Sequence, residues 1–157
     1  MPFRKTQEKA EDKGPVAQAH EKSAGAVIFV KEKPELKFLL LHYQAGHWGF
    51  AKGNIEKAET ELITAQREIK EETGLEGLQF FEGFKEIITY FYTRQGKVIK
   101  KEVVFFLAQS FKEHVTISNE HIGYAWLNYD KALAKVTFQN DKDVLKKAHE
   151  HLKAHKE

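Results

Sequence analysis

The stretch that decides the fold is Gly53 to Leu75, GNIEKAETELITAQREIKEETGL. Its second part, Thr60 to Thr73, predicts a helix that stops before Gly74, a residue suited to a helix end. At ~100° per residue, Glu61, Glu68 and Glu72 fall on one stripe of that helix, with Glu71 beside it. Leu62, Ala65 and Ile69 form an adjacent apolar stripe directed at a core. Carboxylates on one helix face repel each other by a few tenths of a kcal/mol per pair, roughly. Lys70 points elsewhere and Arg67 sits on the flank, so compensation is partial. Such a face is either solvated or a site for hard divalent cations, which prefer oxygen ligands and would remove the repulsion.

Upstream, AGAVIFV (Ala24 to Val30) and LKFLLLHY (Leu36 to Tyr43) read as strands joined by a turn at KEKPE. A glycine-rich loop, AGHWGFAKGN (Ala45 to Asn54), leads into the helix. Downstream, Lys85 to Thr93 and Val98 to Ala108 flank Gln95-Gly96, a hairpin signal. Ile122 to Asn128 predicts another strand, Lys131 to Lys135 a short helix, and Asp141 to Ala154 an amphipathic one. Val144, Leu145, Ala148 and Leu152 share the apolar face of that last helix. His149, His151 and His155 are expected in solvent. Strands and helices mixed in this order imply an α/β (α+β) sandwich. Met1 to Lys22 alternates charges and has no periodic apolar face. It reads as a mobile tail before a single domain at 23–157, with contact to RNA or a partner as the alternative.

A chain of 157 residues, 41% hydrophobic, suits one domain. It has no cysteine, which excludes a disulfide scaffold, a thiolate zinc site and a cysteine nucleophile, and makes the cytoplasm the expected compartment. Charge is balanced at 25 Lys+Arg against 23 Asp+Glu, so no global field would collect nucleic acid. No apolar run approaches the ~20 residues needed to span a bilayer.

If Gln95-Gly96 is a two-residue turn, Arg94 faces Lys97 and Tyr90 faces Lys101. Tyr92, Ile99, Val103 and Phe105 then share that face. A tyrosine beside a lysine offers a stacking surface next to a cation, which a nucleotide polyphosphate would use. Tyr90 and Phe105 are therefore candidate base contacts and Lys101 a candidate phosphate contact, against the ordinary reading of a packed strand. His47 is a further candidate phosphate contact, and Trp48 reads as packing.

The stretch quoted first resembles the Nudix box. Gly53, five residues, Glu59, seven residues, then Arg67-Glu68-Ile69-Lys70-Glu71-Glu72-Thr73-Gly74-Leu75 matches the pattern Gly-x5-Glu-x7-Arg-Glu-U-x-Glu-Glu-x-Gly-U, where U is bulky and aliphatic. The resemblance implies an α/β/α sandwich with a mixed central sheet. It also implies hydrolysis of a nucleoside diphosphate linked to another group, with Mg²⁺ or Mn²⁺. Glu68, Glu71 and Glu72 match the family's metal ligands. Glu59 and Arg67 would form a pair fixing the loop to the helix, and the Lys52-Gly53 junction would offer a backbone carbonyl. Gly53 and Gly74 complete the support of the box.

The flanks resemble asymmetric diadenosine tetraphosphate hydrolases. His47-Trp48 and Lys52-Gly53 are in place, while Ala51 and Asn54 depart from the usual proline and histidine. EGFKEIITYFY (Glu82 to Tyr92) is similar to the strand that supplies an aromatic for the base. ISNEHIGYAWL (Ile117 to Leu127) is similar to the Ser-x-Glu-His stretch, which makes Glu120 a metal ligand or catalytic base. The resemblance thus implies water attack on a bis(5'-nucleosyl) tetraphosphate, giving a nucleoside triphosphate and a monophosphate. Glu120, Glu68 and Glu72 would be catalytic, and Lys52, Lys101 and His47 would balance charge. The expected partner is a small dinucleoside polyphosphate or nucleotide bound by a monomer, with no membrane. An RNA 5' pyrophosphohydrolase, another nucleotide pyrophosphatase and a non-catalytic nucleotide sensor are the alternatives.

Overall fold

A computed structural model gives the fold, and the structure describes residues 16–32 and 34–155. Strand β1 (Ala19–Glu32) is its axis. One edge of β1 carries β4 (Ala51–Asn54) and then β2 (Glu35–Tyr43), both antiparallel. Along the other edge runs β7 (Lys97–Gln109), parallel, from Ala19↔Ile99 to Phe29↔Gln109. Beyond these lie β3 (Trp48–Gly49) and β8 (His121–Leu127) on β2, and β5 (Gln79–Phe80) and β6 (Glu86–Arg94) on β7. The result is a mixed eight-stranded sheet.

Helices cover both faces, which is why the central strands are apolar on both. Helix α1 (Glu61–Thr73) lies on one face, packing Ile69 with Ala26, Ile28, Leu39 and Ala51. Helices α2 (Tyr129–Lys135) and α3 (Gln139–Ala154) lie on the other, where Val144, Leu145, Ala148 and Leu152 meet Val27, Phe29, Phe38 and Phe105. The α/β/α sandwich with a mixed sheet is thus the observed architecture.

Local chemistry sets the element ends. Thr60 caps α1 by accepting from the Ile63 N–H at 3.1 Å, and Gly74 closes it at φ 76°. The β6–β7 turn has positive φ at both Gln95 (52°) and Gly96 (79°), the geometry that matches strand twist in a two-residue hairpin. The register is the expected one, Arg94↔Lys97 and Tyr90↔Lys101.

Some expectations need correction. Strand β1 starts at Ala19 rather than at Ala24, because its parallel partner β7 supplies ladder bonds back to Ile99. Of the segment read as a tail, residues 1–15 lie outside the described residues. The loop at Ala45 to Asn54 contains β3 and β4, and β5 was not foreseen. Leu62 is 39% exposed; the buried face of α1 runs through Thr64, Ala65, Ile69, Glu72 and Thr73. His149 stacks on Tyr129 at 3.7 Å and is half-buried, as is His151, leaving His155 exposed. Phe105 is fully buried, edge-on to Phe50 at 5.6 Å, and presents no face to a ligand.

The β1–β4 contact leaves no room for a side chain at Gly25. A Cβ there would lie 2.0 Å from the Ala51 carbonyl oxygen and 2.7 Å from Lys52 Cα. Gly25→Ala should therefore cost about 1–3 kcal/mol or more, because backbone rather than a flexible side chain must move. Urea unfolding checks this; an unchanged midpoint would mean that β4 is free to retreat.

Candidate active site

Strand β4 and helix α1 approach closely enough to place the box side chains against backbone. A Cβ on Gly53 would sit 1.9 Å from the Glu68 carboxyl carbon, so glycine is what admits that carboxylate. The Lys52 N–H reaches Glu72 Oε1 at 3.3 Å.

Arg67 is the hub of this corner. Its Nε donates to Glu59 Oε2 at 2.7 Å and its Nη2 to Glu59 Oε1 at 3.0 Å. Nη2 also donates to the Asn54 carbonyl oxygen at 3.0 Å, and Nη1 donates to Glu68 Oε2 at 2.8 Å and Glu71 Oε1 at 3.3 Å. Glu59 also accepts from Thr64 Oγ1 and the Glu56 N–H. Chiefly through the Arg67 bonds, its pKa drops to about 2. Loop and helix are thus tied by the Glu59–Arg67 pair, and Arg67 compensates the acids more fully than its flank position suggested. Glu61 faces elsewhere, paired with Lys22 and Lys85 at 2.7 Å each.

Glu72 is the group with the least relief. It is 3% exposed, and burial, then Glu68, then the charge of Glu120 push its pKa up to about 9. His121 Nε2 lies 3.6 Å from Glu72 Oε1, beyond hydrogen-bond reach, and is buried without a partner. The other ring nitrogen, Nδ1, is 3.1 Å from Ser118 Oγ, and burial keeps the His121 pKa low. Glu120, in the loop before β8, is exposed, while its charge reaches Glu72 and Tyr43. Among the described residues no three His, Asp or Glu side chains converge as a formed cation site. In this arrangement Glu68 and Glu71 face Arg67, and Glu72 faces the Lys52 N–H. The donor set is nonetheless all oxygen, and the Gly53 cradle brings Glu68 against the β4 backbone. That chemistry fits a hard divalent cation that keeps most of its waters.

Beside this corner lies a cavity of about 500 Å³, lined by Tyr43, His47, Lys52, Tyr90, Phe138 and Asp141 among others. His47 stacks on Tyr43 at 4.4 Å, and burial, followed by the Lys52 charge, lowers its pKa. Lys52 Nζ is 5.5 Å from the Tyr43 ring centre. Tyr90 is 36% exposed at the cavity wall. Trp48 stacks on His42 at 4.3 Å, a packing role as expected.

Lys101 is placed differently from its expected role. It is 9% exposed and does not line the cavity; its Nζ donates to Asn54 Oδ1 at 2.9 Å and Glu21 Oε1 at 3.5 Å. It therefore ties β7 to the end of β4, where Asn54 also accepts from Ser23 Oγ at 2.9 Å. The sequence reading missed Tyr43, His121, Phe138 and Asp141. Only the His121 position, adjacent to Glu120 in the quoted stretch, carried a local signal.

A model of the NUDIX domain matches residues 19–148. The asymmetrical bis(5'-nucleosyl)-tetraphosphatase of Rattus norvegicus is 32% identical over 143 residues, covering 83% of this chain and 95% of that protein. An RNA pyrophosphohydrolase of Sulfurovum sp. is 29% identical over 135 residues, covering 77% and 85%. The crystal structure of a C. elegans Ap4A hydrolase binary complex superposes with a TM-score of 0.77 at 30% identity, covering 85% of this chain and 98% of that one.

The raised pKa of Glu72 has a stability consequence. The folded state holds this proton more tightly than the unfolded chain, whose ordinary value is 4.5. Its contribution is complete below that value and is lost as pH rises toward about 9. In chelator-treated protein, Glu72→Gln, which stays neutral, should be more stable than wild type above about pH 8 and show a flatter pH slope. Urea unfolding across that range is the check; parallel slopes would refute the burial of an uncompensated carboxyl.

Proposed function

This chain belongs to the NUDIX family and is a Nudix hydrolase, and we propose that it cleaves bis(5'-nucleosyl) tetraphosphates asymmetrically, into a nucleoside triphosphate and a monophosphate. The observation that carries this reading is the carboxylate corner of Glu68, Glu71, Glu72 and Glu120 beside a cavity walled by Tyr90, Phe138, His47 and Lys52. The likeness to the rat tetraphosphatase over most of both chains supports it.

In this mechanism Tyr90 and Phe138 hold a nucleoside, while Lys52 and a neutral His47 contact phosphate oxygens. Glu68, Glu71 and Glu72, with a backbone carbonyl at Lys52-Gly53, would hold Mg²⁺ or Mn²⁺. When bound, the cation neutralises the polyphosphate and acidifies the attacking water. Exposed Glu120 accepts a proton from the water that attacks phosphorus, and the triphosphate departs as the P–O bond to it breaks.

Diadenosine tetraphosphate turned over in ¹⁸O water with Mg²⁺ should yield labelled AMP and unlabelled ATP. Two ADP molecules would overturn the asymmetric reading. Glu72→Gln should lower kcat about 100-fold or more, as expected when charge stabilisation of several kcal/mol is lost. The likeness to an RNA pyrophosphohydrolase makes a triphosphorylated RNA 5' end the competitor to include, at equal concentration. A higher kcat/KM for the RNA would replace the proposed substrate.

A further inference from the structure

The side chain of His121, first residue of β8, is fully buried, yet its Nε2 has no hydrogen-bond partner among the described residues. Folded proteins rarely leave such an atom unpaired, so the group it faces is informative. Nε2 faces Glu72 Oε1 at 3.6 Å. The Lys52 N–H addresses the same oxygen at 3.3 Å. Two long contacts thus converge on Oε1, and Oε2 is the oxygen left for a cation.

The far side of the ring fixes which nitrogen carries the hydrogen. Ser118 Oγ lies 3.1 Å from Nδ1 and already accepts from the Glu120 N–H at 3.3 Å. Among the described residues Nδ1 is the acceptor within reach of the Ser118 hydroxyl, so the hydroxyl donates to it. Nε2 then carries the hydrogen and directs it at Glu72. The opposite tautomer would set a nitrogen lone pair against a carboxylate oxygen. Tyr43 packs on the ring at 4.5 Å, and the His121 N–H bonds the Ser118 carbonyl oxygen at 3.1 Å, which holds the imidazole in place.

We propose that His121 is a positioning residue for the divalent cation: oriented by Ser118, it donates from Nε2 to ionised Glu72 and turns that carboxylate toward the metal. This rests on the reading of Glu72 as a cation ligand. A hard cation needs the charged carboxylate, and a charged carboxylate in a buried corner needs a donor. Closing the present gap to an ordinary hydrogen bond takes roughly half an ångström. Because Ser118 also holds the Glu120 N–H, one hydroxyl links the proton acceptor of the reaction to the carboxylate that binds the metal.

Two replacements separate this role from packing. Glutamine places its amide near Nε2 and keeps a donor there, whereas asparagine places its amide near Nδ1 and leaves Glu72 without one. In calorimetric titration with Mn²⁺ and no nucleotide, His121→Asn should bind at least about tenfold more weakly than wild type, and His121→Gln within about threefold of it. In a Glu72→Gln background, His121→Asn should cause no further loss. KM for diadenosine tetraphosphate at saturating Mn²⁺ should be unchanged in both His121 variants. Nitrogen-15 magnetic resonance of the Mg²⁺-loaded wild type should show the ring hydrogen on Nε2. A hydrogen on Nδ1 would overturn the proposal even if His121→Asn does not fold. So would equal losses of Mn²⁺ affinity in the two variants, which would make the ring a packing element. Wild-type Mn²⁺ affinity in Glu72→Gln would sink the ligand reading itself; a loss there without one in His121→Asn would sink the positioning role alone.

Discussion

The guanidinium of Arg67 is the contact on which the remainder of the site depends. It takes Glu59 with two bonds, the Asn54 carbonyl with a third, and Glu68 and Glu71 on its far side. A planar cation with donors in a fixed fork can do this; a lysine, with one point charge, cannot hold loop, strand end and helix at once. Because Glu59 belongs to the loop, Asn54 to β4 and Glu68 to α1, the same cation sets the distance between the strand and the helix that carry the acids.

Glu72 shows the opposite balance. It has been taken into the interior, where burial and two nearby carboxylates work against its ionised form, and it receives one long bond from the Lys52 N–H. Such an arrangement is unfavourable for a resting fold and useful for chemistry, since it leaves a carboxyl whose charge is cheapest when a cation stands beside it. His121, neutral and with Nε2 unpaired, adds a second group on the same spot that is not satisfied by the protein alone.

Helix α1, its caps and the β6–β7 hairpin were legible in the sequence because each is written in local terms: a 3.6-residue period, a Thr and a Gly at the ends, and two turn residues with positive φ. The Glu59–Arg67 tie came from the resemblance to the Nudix box. What escaped was depth and long-range contact. Strand parity correctly grouped Phe105 with Tyr90 and Lys101, but parity says nothing of how far under α3 a residue lies, and Phe105 lies fully beneath it. Lys101 found Glu21 and Asn54, both far away in the chain. Asp141 marked only the start of the predicted last helix, since the wall that buries it comes from β2, β3 and the hairpin, distant in sequence.

The parallel pairing of β1 with β7 also governs how the chain reaches this state. Ala19 meets Ile99, and Phe29 meets Gln109, so the axis strand has its partner some 80 residues later. Loop-closure entropy of that order has to be met before the central ladder gives anything back, which makes such topologies slow to form. On a ribosome adding about 5–20 residues each second, β1 waits several seconds with an apolar edge unpaired. Glu21, Lys22, Lys31 and Glu32 flank its apolar middle, and flanking charges of this kind disfavour pairing of an exposed strand with another chain.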